Sequence, residues 1–143
     1  MRHLAAALFA TVLLVAASGV ASAAPSVLRA TPSTVRFGTR PVGSITLKST
    51  RLTNRGDATI NLLVTVAALP DDFSFGLLPG SNCPVFAPEP LAPGESCDAV
   101  VQFRPTEFFA GEEQTATLVA TATDPTSGAQ LASISIDFTG TGR

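Results

Sequence analysis

The sequence predicts an all-β chain of two antiparallel sheets packed face to face, and three observations carry that expectation. Past residue 24 the chain is dominated by Thr, Ser, Val, Gly and Pro, and helix signals are almost missing. Short segments alternate apolar and polar residues with the two-residue period of a half-buried strand. Turn residues separate those segments at the spacing of a sandwich, and no strand–helix–strand pattern is present.

The elements follow in order. Val27–Ala30 forms a first strand, broken at Pro32 and resumed over Thr34–Phe37, and Gly38–Gly43 with Pro41 makes a corner. Ser44–Asn54 is long and β-rich. Its Ile45 and Leu47 fall on one parity and Leu52 on the other, which predicts a bulge or a change of sheet contact near Ser49. Asn54-Arg55-Gly56-Asp57 is a turn, because Asn and Gly tolerate positive φ. Thr59–Leu69 then lines one face with Ile60, Leu62, Val64 and Val66. A short piece, Asp72–Phe75, places Phe73 and Phe75 against a core edge.

Cys97, Ala99, Val101 and Phe103 point one way along the next strand, which Pro105 ends because it has no N–H for a ladder. Thr115–Thr123 turns Ala116, Leu118, Ala120 and Ala122 inward and threonines outward. Residues 124–128 turn the chain, and Ser133–Thr139 closes it with Ile134, Ile136 and Phe138 on the buried face. About seven strands in this length make an immunoglobulin-like antiparallel β-sandwich.

The N-terminus reads as an export leader, residues 1–23. Arg2 precedes an uncharged run from Leu4 to Ala17, and Ala21-Ser22-Ala23 offers the small residues that a signal peptidase accepts. Cleavage between Ala23 and Ala24 leaves one domain, residues 24–143, large enough to bury roughly two-thirds of its unfolded surface. The competing reading is an uncleaved anchor, since Leu4–Ala24 is about long enough to span, but the apolar run breaks at Ser18. After cleavage no second segment of spanning length remains.

Composition excludes several kinds of chemistry. Nine Lys and Arg include Arg2, so the eight left after cleavage face eleven acids, and they are scattered. Without a basic cluster there is little to release counterions from a phosphate backbone, so no nucleic-acid partner is expected. The only histidine is His3, in the leader, and the chain has no Trp or Tyr. Catalytic machinery that needs imidazole is therefore absent from the mature chain, and no catalytic residue, cofactor or metal site is expected.

Cys83 and Cys97 are the only cysteines, and in an oxidising compartment they predict a structural disulfide. Free thiols, a redox couple and an intermolecular bridge are the alternatives, and the spacing is not that of a C-x-x-C redox pair. Four prolines between the two cysteines leave their loop little regular structure of its own.

The chain also carries Val35-x-Phe37-Gly38, Val42-Gly43, Leu52-Thr53-Asn54-x-Gly56, Leu91-x-Pro93-Gly94-x-Ser96-Cys97, Val101-x-Phe103-x-Pro105-Thr106 and Phe138-Thr139-Gly140-Thr141-Gly142. In that order these motifs resemble the bacterial choice-of-anchor D domains, relatives of the hydin-like (ASH) immunoglobulin-like family. The resemblance covers about Pro32–Gly142 and implies a β-sandwich. In physical terms, Pro93-Gly94 suits the central positions of a turn. Gly140 and Gly142 would let the last strand end against a neighbour's backbone.

Function is expected to lie in protein–protein contact, through loops and sheet edges displayed by a rigid sandwich at the cell envelope or outside the cell. Consecutive residues of an extended segment point to opposite sides, so Phe108 and Phe109 cannot easily share one core and mark a candidate patch, the competing reading being a loop that folds back and buries both. Self-association as a surface or adhesin-type subunit is the alternative. Asp71-Asp72 and Glu112-Glu113 offer only a remote carboxylate enzyme or a weak calcium site. They read instead as a solvated turn and as charged guards of a strand edge. The leader assignment is checked by the intact mass of the protein recovered from expressing cells. A species beginning at Ala24 is expected, and a retained leader would mean an anchor.

Overall fold

Alternation along each strand decides which side chains meet, and here it builds two sheets around one apolar layer. The structure, a computed structural model, describes residues 26–71, 74–78 and 81–143. Nine strands are present among these residues: β1 (Leu28–Thr31), β2 (Thr34–Arg40), β3 (Thr46–Asn54), β4 (Ile60–Ala68), β5 (Phe75–Leu77), β6 (Glu89–Leu91), β7 (Ser96–Phe103), β8 (Glu113–Thr123) and β9 (Gln130–Gly142). One sheet has the order β1-β3-β7-β5 and the other β2-β9-β8-β4-β6. The immunoglobulin-like sandwich expected from the alternation is the observed architecture.

Two features differ from that expectation. The count exceeds seven because β5 and β6 are three-residue strands, and β6 lies inside the proline-rich loop, with Pro90 tolerated because β6 is an edge. The pairing is also not wholly antiparallel. β2 runs parallel to β9, after a cis Thr31-Pro32 bond and a switch from the sheet that holds β1.

The core is where the patterns placed it. Leu52, Leu62, Val64, Ala99, Phe103, Ala120, Ala122, Ile136 and Phe138 have no measurable exposure. Four rings join the sheets: Phe37 from β2 lies 5.8 Å from Phe75, 5.3 Å from Phe103 and 6.5 Å from Phe138, and Phe75 stacks on Phe103 at 4.6 Å.

The parity flip in β3 has a different cause from a bulge. Its register with β7 is unbroken from Thr46↔Phe103 to Thr53↔Ser96. Ile45 and Leu47 simply face solvent, 60% and 53% exposed, and Lys48 takes the inner parity. Its Nζ lies 5.9 Å from the Phe37 ring and donates to the Arg36 carbonyl, so the apolar stem covers the core's end while the charge finds an acceptor. Register shifts lie instead in β2 between Arg36 and Gly38, where Gly38 has φ 69°, in β4 between Val66 and Ala68, and between Ala122 and Thr123 of β8.

A buried Asn54 ties one end together. Its side-chain amide donates to the Ala58 and Leu91 carbonyls, both at 2.9 Å, and its carbonyl oxygen accepts from the Gly56 N–H at 2.9 Å. Its backbone bonds Glu95 and Gly94, so one residue satisfies the turn after β3, the end of β6 and the Pro93-Gly94 turn.

Glu113 opens β8 where that strand pairs β9 alone, since its pairing with β4 begins at Thr117, so among the described residues Glu113 sits beside a stretch of β8 with no strand on its β4 side. The last strand ends against the backbone of Gly111 and Arg40, and its glycines also make room for side chains. A Cβ at Gly140 would fall 2.5 Å from the Phe103 ring, and one at Gly142 would fall 2.8 Å from Pro105. Gly140→Val is therefore expected to cost roughly 1–3 kcal/mol by overpacking. The readout is a lower urea midpoint at unchanged slope. An unchanged midpoint would mean that the sheets do not approach this closely.

Candidate interaction surface

Cys97 takes an inward position on β7 by alternation, and the loop before β6 brings Cys83 to it. The two form a disulfide with Cα atoms 5.0 Å apart, and both are buried. The loop is held on both sides of the sandwich. Asn82 exchanges hydrogen bonds with Asp98: its N–H donates to the Asp98 carbonyl, and its side-chain oxygen accepts from the Asp98 N–H. Ser81 Oγ accepts from the Val100 N–H at 3.0 Å, and the Pro84 carbonyl accepts from the Val64 N–H of the other sheet at 2.8 Å.

The clamped loop makes one wall of a groove of about 390 Å³ lined by Val64, Thr65, Val66, Leu77, Leu78, Val85 and Phe86. Among the described residues no ionisable side chain lines it. At its rim the Phe86 ring is 97% exposed, more than any other large apolar side chain among the described residues. The sequence held a signal for it, an aromatic in a proline-rich loop between Pro84 and Pro88. That segment has no strand period, so alternation does not say where its ring points.

Phe108 and Phe109 lie at the end of the sandwich in a 3₁₀ turn, Glu107–Phe109, rather than in an extended segment. Phe108 is 89% exposed and Phe109 half-buried, so the pair is split between solvent and protein by the turn, not by strand alternation. The turn is well anchored. The Glu112 N–H donates to the Phe109 carbonyl at 3.0 Å, and the Gly111 N–H donates to the Gly142 carbonyl at 2.8 Å.

Behind it, Phe109 and Leu69 floor a cleft of about 280 Å³ that also touches Asp71, Glu112 and Glu113. Among the described residues no group of three or more His, Cys, Asp or Glu is placed to hold a metal ion. Asp72 and Phe73 lie outside the described residues, as do Ala23 and Ala24 of the expected cleavage site. No described helix is long and apolar enough to cross a membrane.

One ion pair lies on the surface of the sandwich among the described residues. Arg51 and Asp98 face each other across β3 and β7 at 3.0 Å, and this hydrogen-bonded contact raises the Arg51 pKa. Both are solvent-exposed, so the pair adds little stability. In the β8–β9 turn Asp124 Oδ1 accepts from the Ser127 and Thr126 N–H groups and from Ser127 Oγ, which holds its carboxyl below the usual aspartate range.

No protein-family model matches the chain, and no curated protein matches it. Solved structures do. The ASH/PapD-like domain 7 of human CEP192 superposes with a TM-score of 0.66 over 90% of this chain and 96% of that one, at 10% identity. The fold is that of the ASH and PapD-like domains.

WR4, a member of the MSP family in C. elegans, matches with a TM-score of 0.55 over 81% of this chain and 99% of its own, at 12% identity. The CsuC–CsuE chaperone–tip adhesion subunit pre-assembly complex of the Acinetobacter baumannii Csu pili matches with a TM-score of 0.53 and 14% identity. That match spans 81% of this chain and 57% of the other. Within this ASH/PapD-like fold, the motif residues Val35, Phe37, Leu52, Asn54, Leu91, Cys97, Val101, Phe103 and Phe138 are all buried, so the motifs describe the core rather than a binding surface.

Replacing both cysteines with alanine is expected to cost about 3 kcal/mol, the chain-entropy value for a loop of this length. Urea unfolding of the variant measures it. A loss below ~1 kcal/mol would mean that the hydrogen bonds of Asn82 and Ser81 hold the loop without the covalent tie.

Proposed function

We propose that the chain is exported and works as a non-catalytic binding module, holding another protein of the envelope or extracellular space against the end of the sandwich that carries Phe108. The observation that carries this reading is an aromatic ring 89% exposed on a short turn whose backbone is hydrogen-bonded into the domain. A free apolar ring in water is unfavourable by itself, and a ring held in one place loses little entropy when a partner covers it. Large aromatics of this kind dominate the energy of protein interfaces.

The apolar leader ending in Ala21-Ser22-Ala23 supports export, and so does a disulfide, which persists in oxidising compartments. The likeness to a chaperone–subunit complex supports an immunoglobulin-like scaffold used for holding proteins. Affinity capture from the envelope and culture medium of the source cells tests the reading, with the wild-type protein and a Phe108→Ala variant as baits. Loss of a specific partner with the variant, at equal thermal stability, is the expected result. A partner retained equally by both baits would move the binding face elsewhere.

A further inference from the structure

We propose that two copies of this chain associate weakly by pairing the open half of β4 with its twofold mate, which closes the apolar groove beside Phe86 in each copy. An open strand edge offers unpaired backbone groups to any second strand, and proteins usually protect such edges. Here the protection is uneven. β2 ends its sheet on one side, and its backbone carbonyls are taken by the chain's own cations: Lys48 Nζ donates to the Arg36 carbonyl and Arg40 Nε to that of Phe37 at 2.9 Å. β5 is three residues long, β6 carries Glu89 and Pro90, and β1 is four residues long and includes Arg29.

β4 differs. β6 covers it only from Ile60 to Leu62, and the Pro84 carbonyl takes the Val64 N–H. From Thr65 to Ala68 no strand lies on its outer side among the described residues, and this stretch has no charge and no proline before Pro70. All four residues are exposed, Val66 by 42%.

Charge selects the occupant. Among the described residues neither the open edge nor the groove lining contains an ionisable group, so a charged partner segment would be desolvated there without a counter-charge. The same neutrality lets two identical net-acidic chains meet at this face without opposing like charges. An isologous contact requires a patch complementary to itself. An uncharged strand edge meets that requirement, because an antiparallel mate presents the same donors and acceptors in reverse order.

Size sets the strength. Two Phe86 rings would bury roughly 300–500 Å² together, against the ~1,200 Å² of a stable interface. A four-residue ladder, shortened by the register shift between Val66 and Ala68, adds only part of the difference. The association is therefore reversible and concentration-dependent.

Sedimentation velocity of the protein purified from expression of its full coding sequence tests this, over a range from low to high micromolar. The expected weight-average mass climbs from one chain toward two with concentration, and the curve is unchanged between low and high salt. Val66→Lys, which places an unpaired charge on the edge, should weaken association by about tenfold or more. Phe86→Ser, at a site too exposed to affect folding, should weaken it as well. Phe108→Ala should leave it intact, which keeps this result separate from partner capture through the other face. A single-chain mass at the highest concentration would overturn the proposal, as would association that survives Val66→Lys in a folded protein or that salt abolishes.

Discussion

The contact on which this structure depends is the cluster of four phenylalanines between the sheets. Phe37 and Phe138 come from one sheet, Phe75 and Phe103 from the other, and Phe37 sits within 6.5 Å of the remaining three. Large rings can fill the space between two sheets only where the facing backbone yields room. Gly140 provides it for the Phe103 ring, and β8 presents Ala116, Ala120 and Ala122 to the same layer. Small residues on one strand and large ones opposite give close packing without voids, which a uniform choice of side chain would not.

With the sheets joined there, the other parts have fixed places to attach. Asn54 satisfies two turns and a strand end that would otherwise bury unpaired amides. The disulfide acts on a segment that cannot order itself, because its prolines remove the donors of a regular ladder. Cys97 holds that segment to one sheet, and the Pro84 carbonyl holds it to the other through Val64. The same clamp places Val85 and Phe86 over the space between β4 and β5, so a stabilising device also creates the apolar groove.

Charge in this protein is used locally. Lys48 and Arg40 close the carbonyls of an edge strand, Arg51 meets Asp98 across two strands, and Asp124 accepts three hydrogen bonds from its own turn. Only the Arg51–Asp98 pair is neutralised by its partner, while Lys48, Arg40 and Asp124 keep their charge and are held in place by neutral groups. Two exposed aromatic rings stand out, Phe108 on a turn that is hydrogen-bonded into the end of the sandwich and Phe86 two residues past the Pro84 carbonyl that binds β4.

The buried side of this fold was legible in the sequence because burial follows a two-residue period. Cys97, Ala99, Val101 and Phe103 on β7, and Ala116, Leu118, Ala120 and Ala122 on β8, read inward by alternation and are inward. The motifs were informative for the same reason, since they mark packing positions. Where a side chain's role depended on a distant partner, the pattern misled. The parity flip of Ile45 and Leu47 against Leu52 suggested a bulge, whereas the strand is regular, both face solvent, and Lys48 on the inner parity lies over Phe37.

Phe108 was legible as a candidate, though for a strand-like reason that its 3₁₀ turn does not obey. Phe86 was not, because exposure in a loop is decided by what the loop is tied to. The sequence by itself determined an all-β chain, its inward faces and the cysteine pair, all properties of local spacing and residue chemistry. Only the tertiary structure decided which strand edges stay open, where the parallel pair lies and which rings reach solvent, because each depends on contacts between residues far apart in the chain.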